Sequence, residues 1–371
     1  MIRILHLGTE LTWRGGENQM RLLIEGLQSK VETQIAATPR KSVAFREKRW
    51  ACPTYDLASG SPYDPRNMWK LARLIRKNRI QILDAHTAKA HTLALNVAPF
   101  VPDLKIVVHR RVDNVPKSQV LTRRKYLHPR VSVFTAISRF IGQVLIDYGV
   151  NPNKVKVARS AVSSKAYEAL ERSTCQTYWR QKLNLPTNHV LIGNASALSP
   201  QKGYETLLQA AAILKTKTQD FSVLIAGDGG LRPSLERLSL QLKLENHVHF
   251  VGFLKDVPQF LKSLDILAVP SNNEGLGTII LDGLLAGCSV VASRVGGIPE
   301  IIHNHQTGLL IEPGDSQKLA EYLETLIRQP ELRLHMAQQG AQWVQREFSL
   351  DSMIQGNLMI YQELLAQGGR S

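Results

Sequence analysis

Short apolar runs alternate with helix-length amphipathic segments along most of the chain, and this alternation is the strongest constraint on its fold. In the first half, the strand-like run IRILHLG precedes GENQMRLLIEGLQ, where apolar residues recur at helical spacing. The second half repeats the pattern with VLIGNAS, YETLLQAAAILKT and FSVLIAG. Buried strands that alternate with helices indicate parallel sheets covered by helices. Two such series in tandem predict two doubly wound α/β domains.

The length of 371 residues also suits two domains. A polar segment at 163–186 lacks strand character and separates the two series, so we predict a first domain at 1–170 and a second at 175–350. In doubly wound sheets, ligands bind beyond the carboxyl ends of the strands. We therefore expect the functional site in a cleft between two facing domains.

The net charge of +15 is unevenly distributed. Residues 1–180 contain 31 Lys and Arg against 13 Asp and Glu, which gives +18, and residues 181–371 contain 15 against 18, which gives −3. Such a field attracts nucleic acid, anionic lipid or a phosphorylated substrate, and the charge alone does not decide among them.

Cysteine usage and hydropathy indicate a cytoplasmic protein. Cys52, Cys175 and Cys288 are far apart and lack CxxC spacing, which favours neither disulfides nor a zinc site. No apolar run approaches the roughly 18 residues that cross a bilayer. The amino-terminal apolar stretch is interpreted as a first strand and not as a signal peptide.

The segment SNNEGLGTIILDGLLAG places two carboxylates in an otherwise apolar context. We expect Glu274 in a loop after the strand DILAVPS, and Asp282 inside a helix at 278–286. A carboxylate in that helix would be desolvated unless it is hydrogen-bonded. Gly275 and Gly277 allow the backbone to approach a ligand closely, and the free N–H groups of the helix start favour a diphosphate. The alternative is an ordinary loop carboxylate followed by a capping Asp.

The longer stretch PSNNEGLGTIILDGLLAGCSVVASRVGGIPEII resembles the donor-site signature of the retaining glycosyltransferase family 4, the glycosyl transferases group 1. WRGGENQM, LSPQKGYETLLQAAAIL, LIAGDGGLRPSLERL and TGLLIEPGDSQKLA match further segments of the family in order, so the resemblance covers nearly the whole chain. It implies a GT-B fold of two Rossmann-like domains that face each other across a cleft. The first would bind the acceptor and the second the nucleotide-sugar donor, with a final helix at about 351–367 packed back on the first.

The resemblance also implies roles for individual residues. Glu274 would contact the hydroxyls of the donor sugar, Lys202 would neutralise the diphosphate, and Asp282 stands where the family usually has a Glu that binds the ribose. Ala197 replaces an Arg that the family often has five residues before the lysine, so either another cation substitutes or the diphosphate relies on Lys202 and the helix N-terminus. The remaining donor-binding positions implied are Gly15, Gly16, Gly275, Leu276, Gly277, Thr278, Gly296, Gly297 and Glu300.

Two histidines complete the implied catalytic set of Glu274, Lys202, His86 and His109. Both stand at or near strand ends, and members of the family use a histidine from one place or the other near the reacting sugar. A strand-end histidine is otherwise more often a packed or capping residue. His91 is expected on a helix surface. No acidic or histidine cluster in the sequence has metal-ligand spacing. The resemblance likewise implies chemistry without a metal or other cofactor, and it assigns no side chain as a general base.

The function implied is retaining transfer of a hexose from a nucleotide diphosphate sugar, by family frequency a UDP-sugar, to a glycan or lipid-linked acceptor. Lipopolysaccharide or other surface polysaccharide biosynthesis is the expected process, with the enzyme peripheral on the inner face of the cytoplasmic membrane. Basic segments of the first half could contact the membrane or acceptor, although they could equally be solvated basic faces. This patch consists of Arg73, Arg76, Lys77, Arg110, Arg111, Arg123, Arg124 and Lys125.

Two alternatives remain open at this point. A GT-B sugar-nucleotide epimerase would need no acceptor and would return an altered nucleotide sugar. A nucleic-acid-binding protein would explain the basic half, but aromatic–basic interleaving, zinc-finger and RNP motifs are absent from the sequence. The lack of GxGxxG after the first strand also argues against a dinucleotide dehydrogenase.

Overall fold

The chain folds into two α/β units. The computed structural model describes residues 2–12, 15–112, 115–116 and 119–367. One unit runs from the amino terminus to Ala161 and includes the residues from Leu350 onward, and the other comprises Val162–Ser349. The predicted first domain therefore extended too far. Residues 162–170 lie in the second unit, where the Tyr167 hydroxyl donates a 2.9 Å hydrogen bond to Asp282.

The described part of the first unit contains a sheet of seven parallel strands in the order β3-β2-β1-β4-β5-β6-β7. The strands are β1 Arg3–Leu7, β2 Thr33–Pro39, β3 Thr54–Leu57, β4 Ile82–Ala85, β5 Lys105–Arg110, β6 Val131–Ala136 and β7 Val155–Val157. The helices are α1 Gly15–Leu27, α2 Val43–Arg46, α3 Pro65–Lys77, α4 Ala88–Val97, α5 Val120–Tyr126, α6 Arg139–Asp147 and, at the carboxyl end of the chain, α15 Leu350–Ala366.

The last helix belongs to the core of the first unit. Ile354 and Tyr361 of α15 are buried in one cluster with Leu23 of α1 and Ile4 of β1. Gly26 of α1 lies directly under Ile354, since a Cβ atom at Gly26 would come within 1.9 Å of the isoleucine Cδ1. The chain thus returns to cover the sheet on which it began.

The second unit contains six parallel strands in the order β10-β9-β8-β11-β12-β13. They are β8 Val190–Ala195, β9 Phe221–Ala226, β10 Val248–Gly252, β11 Ile266–Val269, β12 Ser289–Ser293 and β13 Leu309–Ile311. The helices are α7 Lys165–Glu168, α8 Arg172–Leu183, α9 Tyr204–Lys215, α10 Arg232–Gln241, α11 Val257–Ser263, α12 Thr278–Leu285, α13 Ser316–Arg328 and α14 Pro330–Glu347.

The strand order of the second unit determines where a ligand can bind. β9 and β10 extend the sheet on one side of β8, and β11, β12 and β13 extend it on the other. The direction of winding therefore changes between β8 and β11, where the loops at the carboxyl edge diverge and leave room for a ligand. None of the helices in the described part of the chain is both long and apolar enough to span a membrane.

Candidate functional site

A lysine and a glutamate meet at this switch point. Lys202 ends a 3₁₀ turn, Pro200–Lys202, that follows β8, and Glu274 lies in the loop after β11. The lysine Nζ is 2.6 Å from the glutamate Oε2, and the two side chains are 21% and 15% exposed. Because each charge retains some access to water, both groups remain available to a ligand.

Backbone contacts fix the two loops against each other. The Asn272 N–H donates to the Gln201 carbonyl at 2.8 Å, and the Asn272 side chain donates to the Pro200 carbonyl at 2.9 Å. Gly203 has φ of +64°, and a Cβ atom there would lie 1.8 Å from the Pro270 carbonyl oxygen. Only glycine fits this approach. The loops therefore hold Lys202 and Glu274 together before any ligand arrives.

A third loop, which follows β12, buttresses the glutamate. The Gly297 N–H donates to the Glu274 carbonyl at 3.2 Å, and a Cβ atom at Gly296 (φ +54°) would lie 1.7 Å from the same oxygen. Glu300 ends the half-buried 3₁₀ turn Ile298–Glu300. Gly296 and Gly297, two of the predicted donor-binding positions, both lie directly against the backbone of Glu274.

The start of α12 offers uncapped N–H groups beside this pair. Gly277 is the N-cap with φ of +86° and provides no side-chain hydrogen bond to the helix. Gly275 and Leu276 before it are buried, and Thr278, the first helical residue, is exposed. The first-turn amides of a helix without a side-chain cap are suited to binding an anion.

Asp282 lies in the second turn of α12, where Ile280, Leu281 and Leu284 are fully buried. Burial raises the pKa of the Asp282 carboxyl to about 6, and the hydrogen bond from the Tyr167 hydroxyl partly opposes that rise. The 2.9 Å bond occupies Oδ1 of the carboxylate. The sequence indicated that this acid would be desolvated unless hydrogen-bonded, but it gave no sign of Tyr167, which lies 115 residues away in the polar segment between the two series.

A cavity of about 280 Å³ adjoins the same edge. It lies at the carboxyl ends of β8 and β9, with Ala197 and Gly227 on one side and the strongly exposed Phe253 on the other. Ala197 is the position at which the family often has Arg, so the short side chain leaves this space open. The lining is largely apolar and can accept a flat ring.

The first unit has its own polar cluster, at the carboxyl edge of its sheet. Asp84 of β4 is fully buried, and the Tyr361 hydroxyl of α15 donates to its Oδ2 at 2.7 Å. The same oxygen is 3.0 Å from Nε2 of His86 and 3.2 Å from Nδ1 of His6, and Oδ1 is 2.8 Å from Nε2 of His109. The rings of His86 and His109 are stacked with centroids 4.4 Å apart.

Neighbouring groups determine where the protons of this cluster lie. The guanidinium of Arg111 can only donate, so its 3.0 Å contact leaves Nδ1 of His86 unprotonated and Nε2–H directed at Asp84. Burial lowers the pKa of His86 well below its usual value, with Asp84 opposing, and burial likewise lowers that of His109. Burial disfavours an Asp84 carboxylate, but attraction by His109 and His86 nevertheless holds its pKa well below the usual range.

His6, Asp84 and His86 are also spaced like metal ligands. A histidine that binds a metal through Nε2 carries its proton on Nδ1 and donates that proton to an acceptor. Nδ1 of His86 instead faces an N–H group of Arg111. The donor set therefore fits a proton-sharing network better than a metal centre.

Several predicted residues occupy other environments than expected. Arg110 is buried and donates to the Tyr126 hydroxyl at 2.8 Å, and Arg111 donates to His86 and to the Gly16 carbonyl, so neither contributes to a surface patch. Their charges are held inward because β5 carries them into the buried edge of the sheet. His91 is also buried, with its ring against Tyr126 and Phe134, and is not a surface residue.

The remaining patch residues divide between two helices. Arg73, Arg76 and Lys77 are exposed on α3, and Arg123 and Arg124 are exposed on α5, where half-buried Lys125 donates to the Ala88 carbonyl at 2.6 Å. Gly15 and Gly16 lie in the first turn of α1. The matched segment WRGGENQM begins with Trp13 and Arg14, which lie outside the described residues.

Each unit contains a doubly wound parallel sheet, and the second has a cation, a carboxylate and an uncapped helix start at its switch point. These features define the GT-B class, and the comparison with solved structures agrees. The crystal structure of Anabaena Alr3699/HepE in complex with UDP matches with a TM-score of 0.84 and 22% identity, covering 98% of this chain and 100% of that one. The predicted fold class is thereby confirmed.

The chain belongs to glycosyltransferase family 4, the glycosyl transferases group 1. The family model described as Glycosyltransferase Family 4 matches residues 13–165, and the one described as Glycosyl transferases group 1 matches residues 176–343. Between them the two models cover most of the chain, which confirms the resemblance found in the sequence.

Curated relatives carry transferase names. D-inositol 3-phosphate glycosyltransferase of Salinispora arenicola (strain CNS-205) is 27% identical over 308 residues, 80% of this chain and 66% of that protein. The lipopolysaccharide core biosynthesis glycosyltransferase LpsE of Rhizobium meliloti (strain 1021) is 27% identical over 181 residues, 49% of this chain and 52% of that protein. The alignments thus span less than two thirds of either relative.

Proposed function

We propose that this protein transfers a hexose from a UDP-sugar to a glycan or lipid-linked acceptor with retention of anomeric configuration. The observation that carries the proposal is the Lys202–Glu274 pair, fixed by three loops at the switch point of the second sheet. Family membership supports the reaction class, and the UDP bound to the Anabaena structure supports the choice of nucleotide.

Each group of the second unit has a distinct part in donor binding. Lys202 and the first-turn amides of α12 bind the diphosphate and stabilise the negative charge that develops on it as the sugar leaves. Glu274 accepts hydrogen bonds from the sugar hydroxyls, and Asp282 accepts them from the ribose hydroxyls through Oδ2. The cavity beside Ala197 takes the base. This chemistry needs no metal, because a lysine and backbone amides meet the leaving-group charge.

The two predicted catalytic histidines differ in how many of their ring nitrogens already face a partner. Both ring nitrogens of His86 face partners, Arg111 at Nδ1 and Asp84 at Nε2. For His109, the contact found among the described residues is that of Nε2 with Asp84. We therefore propose that His109 contacts the transferred sugar and that His86 holds the side chains of Arg111 and Asp84 in place.

The acceptor belongs to lipopolysaccharide or another surface polysaccharide, and the protein acts at the inner face of the cytoplasmic membrane. The name of the Rhizobium relative supports the process, and the charge of +18 over residues 1–180 supports an anionic acceptor or surface. The epimerase alternative is not carried forward, because the matching family models and the relatives are named as transferases.

A thermal-shift series with UDP, GDP and ADP, each with and without an attached hexose, tests the proposal. A ligand that binds only the folded state raises the melting temperature, and UDP and UDP-hexose should do so most. Lys202→Met should weaken UDP and UDP-hexose alike, whereas Glu274→Gln should weaken UDP-hexose but not UDP, because Lys202 then loses a carboxylate that competes with the diphosphate. Lys182→Met, on the surface of α8, is the matched control. A response to none of the nucleotides would refute the proposal.

A further inference from the structure

The exposed face of α3 carries aromatic and basic side chains together. Trp69 is 64% exposed and lies 5.5 Å from the Arg73 guanidinium, while Leu71 and Ile75 on the opposite face are buried in the core. The helix is therefore anchored by its apolar face, and Trp69 contributes nothing to that anchoring. A single exposed aromatic ring needs no partner, so the surface around Trp69 decides whether this face is a binding site.

Trp69 forms one wall of a groove of about 460 Å³. Met68, Ala72 and Phe100, which is 51% exposed, line it together with Trp69. Arg73, Arg76 and Lys77 line it as well. The groove thus combines apolar and positively charged side chains.

A larger cavity of about 970 Å³ adjoins the groove, since Arg76 and Phe100 line both. Its further cations are Arg79, Lys105 and Arg130, against one acidic lining residue, Asp103. Arg76 and Arg130 donate to the carbonyls of Phe100 and Pro102 at 2.7 and 2.6 Å. These bonds orient the guanidinium groups without neutralising them.

The positive charge around the two spaces is uncompensated. Among the residues that the structure describes, no carboxylate forms an ion pair with any of the six cations Arg73, Arg76, Lys77, Arg79, Lys105 and Arg130. Such a field attracts anions, and the apolar groove next to it offers a place for the hydrocarbon of the same partner.

We propose that the exposed residues of α3, together with Phe100 and the adjoining basic cavity, bind an anionic phospholipid membrane. Trp69 and Phe100 enter the interface, the groove receives the upper part of an acyl chain, and the cavity holds a phosphate headgroup. Single-stranded nucleic acid would stack its bases on exposed rings, whereas Met68 and Ala72 give this groove aliphatic side chains that suit an acyl chain. The inference names the surface through which the function proposed above would be carried out at a membrane.

Sedimentation with vesicles tests this assignment. The full-length protein should bind vesicles of phosphatidylcholine containing about 30% phosphatidylglycerol, and bind pure phosphatidylcholine far more weakly. The triple variant Arg73→Gln, Arg76→Gln, Lys77→Gln should lose on the order of 100-fold in binding, since each cation near an anionic surface contributes roughly fivefold. Trp69→Ala should weaken the binding that persists at high salt, where charge is screened.

Matched controls lie on the second unit. Arg237→Gln, Lys243→Gln, Lys255→Gln removes the same charge from exposed positions, and Leu334→Ala removes an apolar side chain that is 65% exposed. Both should bind vesicles like the unchanged protein. Every variant should also retain its UDP-induced thermal shift, which shows that it is folded and separates this inference from the proposed function.

Three results would overturn the inference. The first is equal binding to both kinds of vesicle, and the second is an equal loss in the triple variant and its charge control. The third is tighter binding to a single-stranded oligonucleotide than to vesicles, with the same dependence on Trp69, which would assign the surface to nucleic acid.

Discussion

At the residue scale, the proposed role of Asp282 in ribose binding predicts a defined pH dependence. Its pKa is raised to about 6 by burial, so the carboxylate proposed to accept from the ribose is lost as the pH falls through that value. Affinity for UDP should drop about tenfold between neutral pH and about pH 5, because only the charged form accepts two hydrogen bonds. Isothermal titration over this range measures the drop, and the Asp282→Asn variant should show none beyond the titration of UDP itself.

The Tyr167 hydroxyl helps to set the pH at which half of the affinity for UDP is expected to be lost. Its hydroxyl stabilises the charged form of Asp282, so Tyr167→Phe should move the midpoint for UDP binding to higher pH. Tyr322→Phe, elsewhere in the same unit, is the control and should leave the midpoint in place. A midpoint unchanged in Tyr167→Phe would mean that the hydrogen bond does not tune the carboxylate.

What the sequence revealed about the site depended on local spacing. Glu274, Lys202 and Asp282 could be predicted as site residues because each sits in a short segment with its own pattern. Tyr167, Asp84 and Tyr361 could not, because their partners lie 115 and 277 residues away and the pairing exists only in the folded chain. A carboxylate within the buried run ILDAH was the one available signal for Asp84.

At the element scale, the loop after β12 determines the position of Glu274. Gly296→Ala would force a Cβ atom against the Glu274 carbonyl and should lower the free energy of unfolding by about 2–4 kcal/mol, with loss of UDP-hexose binding. Gly314 also has positive φ, but a Cβ atom there meets open space, so Gly314→Ala should cost about 1 kcal/mol. Denaturant unfolding measures the loss of stability in both variants. Equal losses would mean that the added Cβ atom at position 296 does not collide with the Glu274 carbonyl.

Strands and helices were predictable where periodicity was strong. β1, β8 and β9 appear where their apolar runs predicted them, and α9 follows its helical spacing. The short strands β3 and β7 were not predicted, because half-exposed segments of three or four residues carry too little pattern.

At the scale of the whole molecule, the buried Asp84 depends on the last helix. Tyr361→Phe removes the 2.7 Å hydrogen bond to Oδ2 and should destabilise the first unit by about 1–3 kcal/mol. Hydrogen exchange of the β4 amides measures this change, and the amides of β11 in the second unit serve as the internal control. Equal protection of β4 in variant and parent would show that the histidines alone satisfy the carboxylate.

The net charge of the chain predicted less about the whole molecule than the spacing of its apolar residues did. The charge imbalance indicated an anionic partner but not which arginines would face it, since Arg110 and Arg111 are directed inward while Arg73 and Arg76 remain exposed. Burial depends on the register of a strand or helix against its neighbours, which a charge count does not contain.

The return of α15 to the first sheet has a consequence for biosynthesis. Asp84 leaves the ribosome 277 residues ahead of Tyr361, with the complete second unit translated in between. We infer that a nascent chain carries its first sheet with an unshielded acid until α15 has left the ribosome, and that the first unit reaches its final stability only then. Stalled chains ending at residue 349 should be digested by protease within the first unit faster than released full-length protein, and equal digestion would contradict this order of events.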